Sequence, residues 1–163
     1  MKLTYLIIII FLNSNAISKE ENNSYFDISS DKLIIQDYPL SSEFIGNVYA
    51  RNDVNHFWGD KILIDYDDNK KIKIITIIGN VKIKRYNEEV TGDKAVYNLK
   101  SEKIKVSGDV MAIKDGNILN GNELIVDLIN STSIIKSDMN KQVSVKVSEW
   151  SLSLNWFHQT MVW

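Results

Sequence analysis

The side chains of this chain that could carry out acid–base chemistry are few and widely separated. The only two histidines, His56 and His158, stand far apart, and the chain contains no cysteine. Neither histidine has a second ligand at the spacing that metal sites use. His56 is interpreted as a surface or corner residue, and the acidic pair Glu88-Glu89 as turn charge. Without a nucleophile–base pair, the sequence does not predict an enzyme.

One acidic segment imitates a metal site. Asp65, Asp67 and Asn69 have the alternating spacing of the first ligands in a calcium-binding loop. Lys70, however, stands where the loop needs a glycine, and Thr76 stands where the bidentate glutamate belongs. We therefore interpret this segment as a solvated turn, and the sequence predicts no metal and no cofactor.

The densest basic region contains Lys82, Lys84 and Arg85. Such cations are candidate contacts for phosphate groups, although a solvated strand face explains them equally well. The net charge of the whole chain is −2 at pH 7. This balance is too mild to predict nucleic acid as a partner.

These residues are embedded in an internal repeat. Gly46-Asn47-Val48, Gly79-Asn80-Val81 and Gly108-Asp109-Val110 are each followed by a second corner, of which Gly59-Asp60-Lys61 and Gly92-Asp93-Lys94 are two examples. Two short runs of alternating apolar residues lie in each unit, which is typical of stacked β-hairpins. A glycine inside such a run indicates a bulge or a bend. The repeat predicts an all-β, antiparallel fold.

Period-two alternation assigns one face of these strands to apolar side chains. We expect this inner face to include Leu33, Ile35, Val48, Ile62, Ile64, Tyr66, Val81, Ile83, Ala95, Tyr97, Leu99, Val110, Leu124, Val126 and Leu128. The alternation alone is compatible with two arrangements. The residues form either the core of a closed sandwich or the lining of an open groove.

The two ends of the chain differ from the repeat. Residues 1–16 start with Met1 and the basic Lys2, continue with an apolar run and end at Ser14-Asn15-Ala16, a pattern typical of a cleaved secretory signal peptide. The apolar run is shorter than the roughly 20 residues that span a bilayer. We assign residues 25–147 to one β-domain and residues 148–163 to an atypical C-terminal segment with three tryptophans.

The phrase Gly92-Asp93-Lys94-Ala95-Val96-Tyr97-Asn98-Leu99, continued by Ile104 to Val110, resembles the OstA-like repeat of the LptA family of lipopolysaccharide-transport bridge proteins. The resemblance implies a slightly twisted β-jellyroll, open along one side, in the periplasm of a Gram-negative envelope. It also implies that the inner face binds the acyl chains of lipopolysaccharide. Family members pass this lipid from an inner-membrane complex to the outer-membrane translocon.

The same resemblance implies that partners add strands at the sheet edges. The adaptor LptC and the translocon LptD are the expected partners, and head-to-tail self-association is an alternative use of the same edges. The candidate interface residues are Tyr25, Ile28, Val143, Val145 and Val147. In the opposite case, the chain termini cover both edges. Two other functions remain open: a membrane-anchored adaptor of the same pathway, and a self-assembling β-repeat protein without lipid cargo.

Overall fold

The computed structural model describes residues 26–148 of the chain. The predicted signal peptide, Tyr25 and almost all of the C-terminal segment lie outside this range. The described chain forms ten strands: β1 (Asp27–Ser29), β2 (Lys32–Asp37), β3 (Leu40–Asn52), β4 (Asn55–Tyr66), β5 (Ile72–Arg85), β6 (Glu88–Asn98), β7 (Lys103–Lys114), β8 (Asn117–Asp127), β9 (Thr132–Lys136) and β10 (Ser144–Lys146).

All ten strands belong to one antiparallel sheet. The six long strands, β3 to β8, pair in sequence order. At one end of the sheet β1 and β2 both pair with β3, and at the other end β9 and β10 both pair with β8. Within residues 26–148 the two end strands do not pair with each other, so the sheet is open. This confirms the prediction of an all-β, antiparallel, repeat-built fold that is open along one side.

Short turns of left-handed backbone join the long strands at one end of the sheet. Asp53, Tyr86 and Asp115 have φ values of 51°, 48° and 48°, and Gly116 follows Asp115 with a φ of 79°. Asp and Gly adopt this backbone region more readily than most residues, and the Asp-Gly pair is a strong hairpin signal. The turn residues of the sequence therefore determine where each ribbon reverses.

The repeated glycines are bulges, as predicted. The register between neighbouring strands shifts after Ile45, Ile78 and Ser107, next to Gly46, Gly79 and Gly108. At Gly79 an added Cβ would collide with the carboxylate of Asp60 on the neighbouring strand, and the Asn80 side chain donates to the same carboxylate at 3.0 Å. Each bulge therefore faces an aspartate, which explains why the sequence repeats two phrases together.

The inner face of the sheet holds the apolar core. Period two persists within each half of the long strands, but on β4, β6 and β8 the inward positions change between odd and even numbers at the glycine corner, as from Gly59 to Ile62. The largest side chains that are fully buried are Leu124, Val48, Val81, Val106, Val110 and Val126. One complete inner row crosses the whole sheet in register: Leu33, Phe44, Ile62, Ile77, Ala95, Val106, Leu124 and Ile135. No helix long and apolar enough to cross a bilayer occurs within residues 26–148.

Candidate functional site

The inner face encloses a cavity of about 920 Å³. Its walls come from β1 and β3 to β7, and most of them are aliphatic or aromatic: Phe26, Ile28, Ala50, Phe57, Ile62, Ile64, Ile72, Ile75, Ile77, Ile83, Ala95, Tyr97, Leu99, Ile104 and Leu128. Phe26 and Ile72 are 47% and 38% exposed, so the cavity reaches solvent. It extends along β5 from Arg85 to Ile72, roughly 40 Å at about 3.3 Å per residue.

The fifteen residues predicted for the inner face fall into three groups. Those that line the cavity are Ile62, Ile64, Ile83, Ala95, Tyr97, Leu99 and Leu128. Those in the packed core outside the cavity wall are Val48, Tyr66, Val81, Val110, Leu124 and Val126. Leu33 and Ile35 lie at the sheet edge and are 49% and 64% exposed. The structure thus brings most of them together, and their role in lipid binding stays a prediction.

Several lining residues were not predicted. Ile75, Ile77 and Ile104 line the cavity although sequence reasoning did not select them. Cross-strand pairing could have identified Ile77, because it lies opposite both Ile62 and Ala95. Residues that lie opposite each other on adjacent strands belong to the same face of the sheet. Phe26 and Phe57 stack with ring centroids 5.6 Å apart at the turn end of the cavity. Pairing across the turns would have identified these positions.

A row of polar residues closes the inner face at the turn end. Successive strands pair Asn52, Asn55, Arg85, Glu88, Lys114 and Asn117 in one continuous register. We call these six residues the polar row. Asn52, Asn55 and Arg85 line the cavity, and the last four residues of the row are each less than 9% exposed. The adjacent inner row is apolar, with Phe57, Ile83 and Leu119 among its members.

An ion pair lies at the centre of the polar row. Lys114 Nζ is 2.5 Å from Glu88 Oε1, with both side chains about 90% buried. Glu88 Oε2 and Asn55 Oδ1 are buried and accept no hydrogen bond within the described residues. The Arg85 guanidinium carbon lies 5.5 Å from the centre of the exposed Tyr86 ring. The cavity therefore ends at charged and hydrogen-bonding groups instead of at apolar side chains.

The three basic residues singled out from the sequence lie on two different faces. Arg85 is 4% exposed and points inward like Ile83, whereas Lys82 and Lys84 alternate to the outer face. Lys82 Nζ pairs with Glu89 Oε2 at 3.2 Å and lies 5.5 Å from the centre of the Trp58 ring. Of the three, only Arg85 lines the large cavity.

The outer face beside this end carries an aromatic group. Tyr49, His56 and Trp58 lie with ring centroids 5.3–6.0 Å apart. Tyr49 Oη and His56 Nδ1 are 2.7 Å apart. Among residues 26–148, no group of acidic and histidine side chains has the arrangement of a metal site. His56 is thus part of a stacked surface group.

Tyr97 is the main polar-capable side chain in the apolar part of the cavity. Burial raises the pKa of its phenol above the ordinary value of 10.0, and the Glu102 carboxylate raises it further. Both effects disfavour the phenolate. Tyr97 therefore presents a neutral ring to the cavity at any physiological pH.

Comparison with known proteins places this fold. No curated protein matches the chain. Among solved structures, it is similar to LptH of Pseudomonas aeruginosa, described as the LptA-homologous periplasmic component of the lipopolysaccharide transport device, with a TM-score of 0.66 and 12% identity. The match covers 77% of this chain and 96% of that one, and at this identity it establishes a shared fold.

A family model decides the assignment. Residues 27–132 match the model described as LptA/(LptD N-terminal domain) LPS transport protein, and this range is most of the chain. Membership in a transport-protein family confirms the prediction of a non-enzymatic role. The periplasmic description of LptH is consistent with the predicted location. The chain therefore belongs to the LptA/LptD N-terminal domain family of lipopolysaccharide transport proteins.

Proposed function

We propose that this protein carries lipopolysaccharide across the periplasm by holding its acyl chains in the cavity. The observation that supports this most directly is an apolar cavity inside a sheet whose two end strands do not pair with each other within residues 26–148. A closed sandwich would fill this space with its own side chains, as protein interiors normally do. The family assignment points to the same cargo.

The apolar walls are sufficient to hold acyl chains without any reaction. Each methylene that leaves water contributes about 0.8 kcal/mol, so a chain of about 12 methylenes contributes roughly 10 kcal/mol before the costs of association. Pockets of about 300–1,000 Å³ bury most of a small ligand, and this cavity is near the upper limit. The cavity has the size and chemistry of a site for one or more acyl chains.

Transfer of the lipid to the next protein is proposed to use the sheet edges. Ile28 lies in β1 and Val145 in β10, with Val143 and Val147 beside β10, so these four predicted interface residues lie at opposite ends of the sheet. Unpaired strand edges accept strands from other chains. We propose the adaptor LptC and the translocon LptD as the partners at these two ends.

Site-specific photo-crosslinking tests the cargo. An aromatic photo-crosslinking amino acid would replace Tyr97 or Phe57, which line opposite ends of the cavity, in the exported protein. The matched control is Ile78, which follows the inward Ile77 and faces the outside with 36% exposure. We expect lipopolysaccharide to be captured at Tyr97 and Phe57 and not at Ile78, in preference to phospholipid.

Each outcome has a defined meaning. Capture that is equal at all three positions would indicate non-specific adsorption and contradict the proposal. A folded protein that captures no lipid at Tyr97 or Phe57 would instead be a β-repeat protein that acts only through its edges. If the exported protein still carries residues 1–16, the membrane-anchored adaptor of the same pathway becomes the better assignment.

A further inference from the structure

We propose that the polar row is a separate subsite that binds the phosphorylated sugar headgroup of the lipid and so determines which way the lipid lies in the cavity. This inference rests on the proposed function. It assigns the headgroup to the end of the cavity formed by Asn52, Asn55 and Arg85, and the acyl chains to the apolar remainder that contains Ile75 and Tyr97.

The position of the polar row excludes a role as ordinary surface charge. Its residues occupy the inner face, where every other row is apolar or glycine through the central strands. Arg85, Glu88, Lys114 and Asn117 are 4%, 7%, 8% and 7% exposed. A buried ion pair such as Glu88–Lys114 is usually no more stabilising than well-packed apolar residues of the same size. Stability alone therefore does not account for the row.

The chemistry of the row matches a ligand that has both anionic and hydroxyl groups. Arg85 is the cation of the row that lines the cavity, whereas Lys114 and Glu88 do not line it and neutralise each other as an ion pair. The row therefore has an excess of one positive charge, and that charge is on Arg85. Glu88 Oε2 and Asn55 Oδ1 are buried acceptors that receive no hydrogen bond from the described residues. The exposed Asp53 adds an acceptor at the rim of the same cavity. A phosphate suits the cation, and sugar hydroxyl or amide groups suit the acceptors.

The arrangement favours a sugar phosphate over a simple phosphate or a bare acyl chain. Inorganic phosphate offers few donors to the free acceptors, and an acyl carboxylate offers none. A buried acceptor without a donor costs free energy, so a ligand that supplies donors is favoured there. The apolar row of Phe57 and Ile83, directly beside the polar row, is where the acyl chains of the same ligand would begin.

The test compares two ligands and two variants by a binding assay on the full exported chain. The ligands are lipopolysaccharide and the same preparation with its lipid phosphates removed. The variants are Arg85→Gln and Lys84→Gln, which remove one positive charge from adjacent positions on opposite faces of β5. We expect Arg85→Gln to weaken binding of the phosphorylated lipid about tenfold and to leave the dephosphorylated lipid unchanged. Lys84→Gln should change neither.

The expected pattern is specific. Equal loss for both ligands in Arg85→Gln would mean that the row only supports the fold, and it would overturn the subsite. Equal affinity of the unaltered protein for both ligands would also overturn it, even if Arg85→Gln failed to fold. A third ligand is phosphatidic acid, an anionic phospholipid whose headgroup is a phosphate without sugar or glycerol. If it binds as tightly as lipopolysaccharide and loses affinity in the same variant, the row recognises any lipid phosphate and the sugar component is contradicted. Failure of the proposed function itself is distinguishable, since capture at Tyr97 would then be missing for every lipid.

Discussion

At the scale of single residues, one carboxylate organises the turn that ends the last long strand. Asp127 Oδ1 accepts a hydrogen bond from the Asn130 backbone at 2.9 Å, and Oδ2 accepts from the Asn130 side chain at 3.0 Å. Lys103 Nζ lies 3.2 Å from the same Oδ2. These contacts lower the pKa of Asp127 from 3.8 to about 2, with the backbone hydrogen bond from Asn130 as the largest cause.

This carboxylate leads to a prediction about acid stability. A carboxyl group with a lowered pKa stabilises the fold above its unfolded value of 3.8, and the stabilisation is lost as the pH falls to about 2. We expect Asp127→Asn to lower the melting temperature at neutral pH. The difference in melting temperature from the unaltered protein should shrink as the pH falls from 3.8 to about 2. Thermal unfolding followed by circular dichroism across that pH range measures the effect.

The control for this prediction is Asp68→Asn, at an exposed position in the turn between β4 and β5. It should change the melting temperature little at any pH. If the melting temperatures of Asp127→Asn and the unaltered protein differ by the same amount down to about pH 2, the loss of stability comes from changed packing of the side chain and not from the loss of its charge.

At the scale of elements, the bulges are the feature that the sequence revealed most clearly. The glycines predicted the places where the ribbons bend, because non-glycine residues rarely adopt a φ such as the +73° of Gly79. The partner of each bulge was not predicted. Asp60 on β4 contacts Gly79 on the neighbouring strand β5. The spacing of residues within one repeat does not show which strand supplies this contact.

A comparison of two glycines tests this reading of the bulge. Gly79 and Gly116 both have positive φ, but an added Cβ meets the Asp60 carboxylate at Gly79 and only Ser148, at 3.4 Å, at Gly116. Gly116→Ala should cost about 1–2 kcal/mol, the strain of left-handed backbone. Gly79→Ala should cost roughly 1 kcal/mol more, because Asp60 must move and weaken its bonds to Asn80.

Denaturant unfolding of the two alanine variants gives the two free energies. Equal losses at both positions would show that the aspartate contact contributes nothing beyond the backbone conformation.

The candidate site was predictable in part, for physical reasons that differ between residues. Ile62, Ala95 and Tyr97 follow from period two, which any strand with one buried face must obey. Ile72 does not, because the register between β4 and β5 shifts between Asp65 and Tyr66, and a shift breaks the alternation. Arg85 was grouped with Lys82 and Lys84 because sequence proximity suggested one basic patch, although the alternation that buries Ile83 also turns Arg85 inward.

At the scale of the whole molecule, the two edges of the sheet carry exposed isoleucines in the same register row. β2 and β9 lie in the same half of the sheet, and a single register row runs from Ile34 through the six long strands to Ile134. Ile34 and Ile134 are 38% and 51% exposed. A second copy displaced along this row would place its β2 beside β9 of the first, which is a head-to-tail arrangement.

Crosslinking tests this arrangement cleanly, because the natural chain contains no cysteine. Equal amounts of Ile34→Cys and Ile134→Cys would be mixed and treated with a short thiol-reactive crosslinker. We expect covalent dimers in the mixture and not with either variant alone. The control pairs Ile134→Cys with Ile78→Cys, whose position lies in the middle of the sheet, and should give no dimers. Dimers from a single variant would indicate a symmetric contact and contradict head-to-tail addition.

The pairing of each long strand with its neighbour in the sequence also bears on how the chain folds. Every hairpin from β3–β4 to β7–β8 closes over a short loop, so each costs little chain entropy and none depends on a distant segment. Proteins built from such local contacts fold faster than β proteins in which remote strands must find each other. The first hairpins can therefore form before the later strands are available to pair, and the sheet can grow from them one strand at a time.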